Sequence, residues 1–214
     1  DAGVLLAIIR TVIAADGRVR SVATYTVRNR SRQFLHVAMP ADTVLWGVLI
    51  GGQPTFVSQM KAAGRDVLLI PIQRMELSDL AVEVSIVYEN ASVDLPAMVR
   101  TATPLAPEVL ETPVIETYWQ LFVPQDYEVT LSGGNVKDVA ANVLLGGKLK
   151  STADEVERLL KLNDTAESGS VRRKALRNLA RAQQELSDTA TELGRNLNVP
   201  DYDLRRVQQA ELQE

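Results

Sequence analysis

Residues 80–90 read LAVEVSIVYEN, with Leu80, Val82, Val84, Ile86 and Tyr88 at every second position and Glu83, Ser85 and Glu89 between them. Successive side chains of a strand point to opposite faces, so this stretch is a strand with one dry face and one wet face. The same period runs outward through GVLLAIIRTVIA, RSVATYTVRN, QFLHVAMP, DTVLWGVLI, RDVLLIPIQ, TYWQLFVP and YEVTLS. ADG, NRSR, PAD, AAGRD, MELSD and PQD punctuate these runs. Short strands at that spacing, with turn residues between them, predict an antiparallel β-sandwich over residues 1–132.

One glycine pair tests this reading. Gly51-Gly52 stands between VLWGVLI and PTFV. Glycine accepts the positive φ that a two-residue hairpin turn requires, so the pair reads as a tight reversal rather than a ligand loop. Pro54, lacking an N–H, then belongs on an edge strand. Residues 90–116 carry prolines at 96, 104, 107 and 113 and predict an extended crossing segment. It leads to a last predicted hairpin, TYWQLFVPQDYEVTL, turning at Pro124-Gln125-Asp126.

Beyond SGGN the period changes. Residues 133–150 read as a linker and 151–214 as a helical segment. Ser151 or Thr152 is the expected cap, followed by the capping-box pattern Thr152-Ala153-Asp154-Glu155. ESGS breaks this helix, Ser170 is the expected cap of a second, and Pro200 precedes a third near Asp201. In the second helix Leu176, Leu179, Gln183, Leu186, Ala190, Leu193 and Leu197 recur at threes and fours, a heptad seam with Gln183 setting register. The first helix offers too few apolar residues to cover it. Its far end, around Ala190, Leu193 and Leu197, is therefore expected to meet either the sandwich body or another protein, and the seam is a candidate interface with another copy or a larger assembly, disrupted by Leu186→Asp with Leu193→Asp.

Composition bounds the rest. With 46% apolar and 23% charged residues the chain buries enough surface to fold. Lys plus Arg against Asp plus Glu is 13 to 15 up to residue 150 and 10 to 12 after it, so neither part attracts nucleic acid as a whole. With no cysteine, disulfides, thiolate chemistry and Cys-ligated zinc are excluded. GVLLAIIRTVIA, interrupted by Arg10, is too short to span a bilayer, and no transmembrane segment is expected. Both ends read as cut or processed.

LWGVLIGGQP followed by YWQLFVPQDYEV resembles the β-sandwich modules of large extracytoplasmic (periplasmic or surface) bacterial proteins, over residues 20–132. That resemblance implies a scaffold role outside the cytoplasm and carries no catalytic residue across.

Candidate chemistry is sparse. His36 is the lone histidine and reads as a rim residue rather than a general base. GGKLKST, residues 146–152, misses the phosphate-loop pattern because Asn142 and Leu149 stand at required Gly and Ser/Thr positions. Asp154, Glu155, Glu157, Asp201 and Asp203 lie at expected helix starts, where carboxylates favour the macrodipole. Arg173, Arg177 and Arg181 form a stripe without interleaved aromatics, a solvated face rather than a nucleic-acid surface. Trp46 and Trp119, with Tyr118 and Tyr127, could form a sugar-stacking platform, although Trp119 alternates with Leu121 and Val123 on an apolar face. Asn29-Arg30-Ser31, Asn90-Ala91-Ser92 and Asn163-Asp164-Thr165 are formal glycosylation acceptors. The expectation is a non-enzymatic structural or protein-interaction module with no catalytic, cofactor or metal site. A carbohydrate-binding sandwich and a carboxylate-dependent hydrolase are the alternatives.

Overall fold

The computed structural model describes residues 2–92, 105–130 and 133–198. The chain divides into two compact units, Asp1–Val136 and Lys137–Glu214. The first is mainly β, and the described residues of the second hold a pair of helices. Among the described residues ten strands form two sheets. The strands are β1 (Gly3–Ile13), β2 (Val19–Arg28), β3 (Phe34–Ala38), β4 (Val44–Ile50), β5 (Gln53–Thr55), β6 (Ser58–Ala62), β7 (Arg65–Pro71), β8 (Val82–Asn90), β9 (Glu108–Leu110) and β10 (Val114–Phe122). Sheet A has the order β10-β1-β2-β8-β4-β5, and sheet B the order β6-β7-β3-β9.

The alternating face read in residues 80–90 is the inner face of β8. Val84, Ile86 and Tyr88 are buried in a cluster that also takes Ala23, Tyr25 and Val27 from β2 and Leu35, Val37, Leu68 and Ile70 from sheet B. Both sheets thus feed one core. Gly51 and Gly52 turn β4 into β5 at φ +57° and +79°, with Ile50 opposite Gln53, and β5 with Pro54 is the edge strand expected. Ala63-Gly64 makes a second two-residue turn, Ala63 at φ +50°, that joins β6 to β7.

Sheet A is mixed, not antiparallel. β1 pairs with β2 antiparallel but with β10 parallel, Ile9 standing beside Trp119 and Val12 beside Phe122. A long crossing connection permits a parallel neighbour where a hairpin would impose an antiparallel one. Most of that crossing, residues 93–104, lies outside the described residues; its end includes β9, which pairs with β3. The expected last hairpin is absent as far as the described residues show it. Pro124-Gln125-Asp126 does turn, Tyr127 N–H donating to the Pro124 carbonyl at 3.1 Å. Residues 127–130 nevertheless add no strand, and residues 131–132 lie outside the described set.

In the second unit α1 spans Ala141–Thr165 and α2 spans Gly169–Asn198. The expected linker over 133–150 is therefore half helix, and Ser151 and Thr152 sit mid-helix rather than at a cap. Leu144, Leu145 and Leu149 extend the helical period through Gly146-Gly147, each glycine costing about 1 kcal/mol against alanine without ending the helix. ESGS does separate the helices, but the first backbone bond of α2 comes from Arg172 N–H to the Ser168 carbonyl at 3.0 Å, two residues before the expected cap at Ser170. A connection this short makes the helices neighbours. The third helix expected near Asp201 lies outside the described residues.

Candidate functional site

The helical seam is displaced from its sequence reading. Ala175, Leu179 and Ala182 are buried together with Leu159 of α1, and Leu186 and Leu193 are half-buried on the same side. Leu176 is 47% exposed, and Gln183 and Ala190 also face outward. The leucines at 179, 186 and 193 belong to both readings. The companion positions fall one residue earlier, at Ala175 and Ala182, small enough to let α1 approach, and at half-buried Thr189, while polar Gln183 is left to solvent. The side chain of Leu197 is outside the described set. Glu155, assigned to a helix start, is instead buried mid-helix and grips Arg158 at 2.5 Å and 3.2 Å. Asp154 and Glu157 are exposed on the same helix, and Asp201 and Asp203 are outside the described residues. Arg173, Arg177 and Arg181 are exposed, as a solvated stripe requires.

The two tryptophans do not form one platform. Trp119 turns inward against the core, and its indole N–H donates to Thr11 Oγ1 at 2.9 Å. Thr11 in turn shares a 2.9 Å bond with Ser21, which donates to Asn90 Oδ1 at 3.2 Å, giving a buried polar chain across β10, β1, β2 and β8. Trp46 lies on the opposite face of sheet A, 56% exposed, at an irregularity in the β4–β8 register between Leu45 and Gly47. The guanidinium of Arg20 stacks 4.5 Å from its ring centre.

His36, in the middle of β3, faces Glu111 Oε2 at 3.9 Å, and Arg32 bonds the same oxygen at 3.0 Å. His36 thus stands beside the Arg32–Glu111 ion pair. Asn29, a formal glycosylation acceptor, is fully buried. Its amide donates to the carbonyls of Arg32 at 2.7 Å and Gln73 at 3.1 Å, and its Oδ1 accepts from Arg32 N–H at 2.9 Å, pinning the β2–β3 loop to the chain after β7. No group of three or more His, Cys, Asp or Glu capable of holding a metal occurs among the described residues.

What sequence reading missed is the outer face of sheet A. Register places Phe122, Val12, Arg20, Glu89 and Val44 in one row across β10, β1, β2, β8 and β4. The next row is Gln120, Arg10, Val22, Val87 and Gly47. Between them runs a shallow open groove of about 350 Å³, lined by Val12, Val22, Val87, Phe122 and Trp46 with Arg10 and Arg20. Val12, Val44 and Phe122 are exposed like Trp46. Both arginines are held in place: Arg20 Nε bonds Glu89 at 3.1 Å, and Arg10 Nε bonds Gln120 Oε1 at 2.9 Å. The one available sequence signal was Val12 and Phe122 breaking the polar alternation expected of a wet face.

No protein-family model matches the sequence, and neither does any curated protein sequence. Among solved structures the chain is similar to native yeast LTA4 hydrolase, at 14% identity over 42% of this chain and 14% of that one, with a TM-score of 0.35. An M1 zinc metallopeptidase from Deinococcus radiodurans gives 16% identity over 45% of this chain and 21% of that one, TM-score 0.29. Legionella pneumophila aminopeptidase A in complex with aspartic acid gives 11%, 41% and 10%, TM-score 0.31. The match thus spans between a tenth and about a fifth of those proteins, and at these scores it assigns neither fold nor activity.

Proposed function

We propose that the chain is a non-enzymatic protein-interaction module, its first unit a two-sheet sandwich whose outer face on sheet A docks a protein partner within a larger assembly. The carrying observation is the exposed apolar surface on both sides of the Arg20–Glu89 pair, Phe122 and Val12 on one side and Val44 and Trp46 on the other, joined through Val22 and Val87 of the next row, with Arg10 and Arg20 both held in place. Exposed apolar patches with a polar rim mark interaction sites, and aromatic and arginine side chains dominate binding energy at such surfaces. The resemblance of LWGVLIGGQP and YWQLFVPQDYEV to extracytoplasmic modules supports a place outside the cytoplasm. A glycan platform is less well supported, because one ring face of Trp46 carries Arg20 and Trp119 is turned to the core. The helical seam is the weaker partner surface, since Leu179 is consumed by packing within the hairpin.

Site-specific photocrosslinkers at positions 12 and 122 of the full chain, expressed in its source cells, test this. Discrete protein adducts are expected from both, and none from the equally exposed position 60 on β6. Equal or absent crosslinking at the three positions would remove the proposal.

A further inference from the structure

Resting on that reading, we infer that the row of the sheet A face running from Arg10 to Gly47 selects a partner segment in which a carboxylate and an aromatic side chain lie three strand spacings, roughly 14 Å, apart. The argument is charge set in an apolar frame. The chain carries a net charge of −4, yet these two rows hold Arg10 and Arg20 against Glu89 alone. Arg20 is already paired with Glu89, whereas no carboxylate of the described residues pairs with Arg10. Arg10 stands opposite Val22, and Arg20 two residues along β2 from it, so the two arginines are diagonal neighbours. Their guanidinium groups nevertheless diverge, Arg10 toward Gln120 on β10 and Arg20 toward Glu89 on β8 and Trp46 on β4, so a partner's carboxylate meets Arg10 alone.

Val12, Val22, Val87 and Phe122 line the groove with them and shed water when a partner covers the face, and a guanidinium–carboxylate bond gains strength where water is excluded. The groove beside Trp46 takes a flat apolar group, and Gly47 leaves open space there, since a Cβ at that position meets nothing within 4 Å.

The test uses the immobilised full chain and a phage-displayed library of random dodecapeptides, followed by fluorescence polarisation of the best binder as a synthetic peptide. Enriched sequences are expected to place Asp or Glu about four residues from Phe, Tyr or Trp, the extended length that spans the row. Arg10→Gln should weaken the synthetic peptide roughly tenfold, the size of one lost charge-assisted bond, and Trp46→Ala at least as much, with melting temperature showing that each variant is folded. Arg10→Lys should restore part of the loss. Neutral or basic enriched sequences that respond to Trp46→Ala but not to Arg10→Gln would refute the charge selection and leave the docking face standing. Acidic–aromatic peptides indifferent to Trp46→Ala, Val12→Asn and Arg10→Gln would refute the face itself. No enrichment over bare support also overturns the inference.

Discussion

The Gly51-Gly52 turn allows backbone strain to be measured free of packing. A Cβ added at either position meets no atom within 4 Å, so any cost comes from φ alone. At φ +57° position 51 lies inside the left-handed basin of about +50° to +70° open to L residues, whereas position 52, at +79°, lies beyond it. Left-handed backbone costs an L residue roughly 1–2 kcal/mol, and the stiffer unfolded chain returns about 0.5 kcal/mol. Gly51→Ala should therefore destabilise by about 0.5 kcal/mol and Gly52→Ala by about 1.5 kcal/mol. Gly51→Asn should be close to neutral, because asparagine tolerates this conformation. The assay is urea unfolding of the full chain followed by tryptophan fluorescence. With a urea slope of about 1–3 kcal/mol per M, Gly52→Ala should lower the midpoint by roughly 0.5–1.5 M. A Gly52→Ala midpoint equal to wild type, or one above that of Gly51→Ala, would show that the β4–β5 turn is not the one described.

Four further outcomes follow from named contacts. Trp119→Phe removes the donor to buried Thr11 and should cost about 1–3 kcal/mol, while in the parent protein acrylamide should quench Trp46 far more than Trp119; equal quenching would contradict the inward placement. Asn29→Ala leaves buried carbonyls and amides unpaired and should cost about 2–4 kcal/mol by thermal melting, against almost nothing for the neighbouring Arg30→Ala. Leu159→Ala should loosen the helical hairpin by about 2–4 kcal/mol and reduce helicity, whereas half-exposed Leu176→Ala should change little; the reverse order would restore the seam as first read. Burial pushes the Tyr88 phenol up to about 12, with nearby Ser21 opposing in part, and raises Tyr25 further still. A folded pKa above the unfolded value of about 10 gives stability that is complete below that pH and lost as pH climbs through about 12. Melting temperature should fall in that window as phenolate absorbance appears, and full ionisation of the buried tyrosines near pH 10 in a folded protein would contradict it.

Local chemistry was legible where one physical rule decided the outcome. Alternation in residues 80–90 identified both the strand and its inner face, and two glycines identified the β4–β5 turn together with the edge position of Pro54. Strand β6, Ser58–Ala62, was not legible, because an exposed strand in sheet B need not alternate; its only signal was Ala63-Gly64. The parallel β1–β10 pairing was hidden for another reason, since partner choice across 110 residues leaves no trace in either strand's own pattern. In the helices, Gly146-Gly147 resembled a loop because glycine's cost is small beside the burial of Leu144, Leu145 and Leu159. The seam slipped by one residue because two registers shared the same leucines. The sheet A groove depends on β10, β1, β2, β8 and β4 together, and so was beyond reach of any single segment.

The β1–β10 ladder also dictates an order of assembly. Strand β1 can pair with β2 as soon as both have left the ribosome, because a short turn joins them. Its other edge must wait for β10, since Val4 meets Val114, 110 residues later. At a synthesis rate of about 5–20 residues per second that edge stays unpaired for roughly 5–20 s. During that interval a strand reading GVLLAIIRTVI presents a free apolar edge to any neighbouring chain. The interval sets a demand for a chaperone or a crowding-free exit that the finished sheet no longer displays.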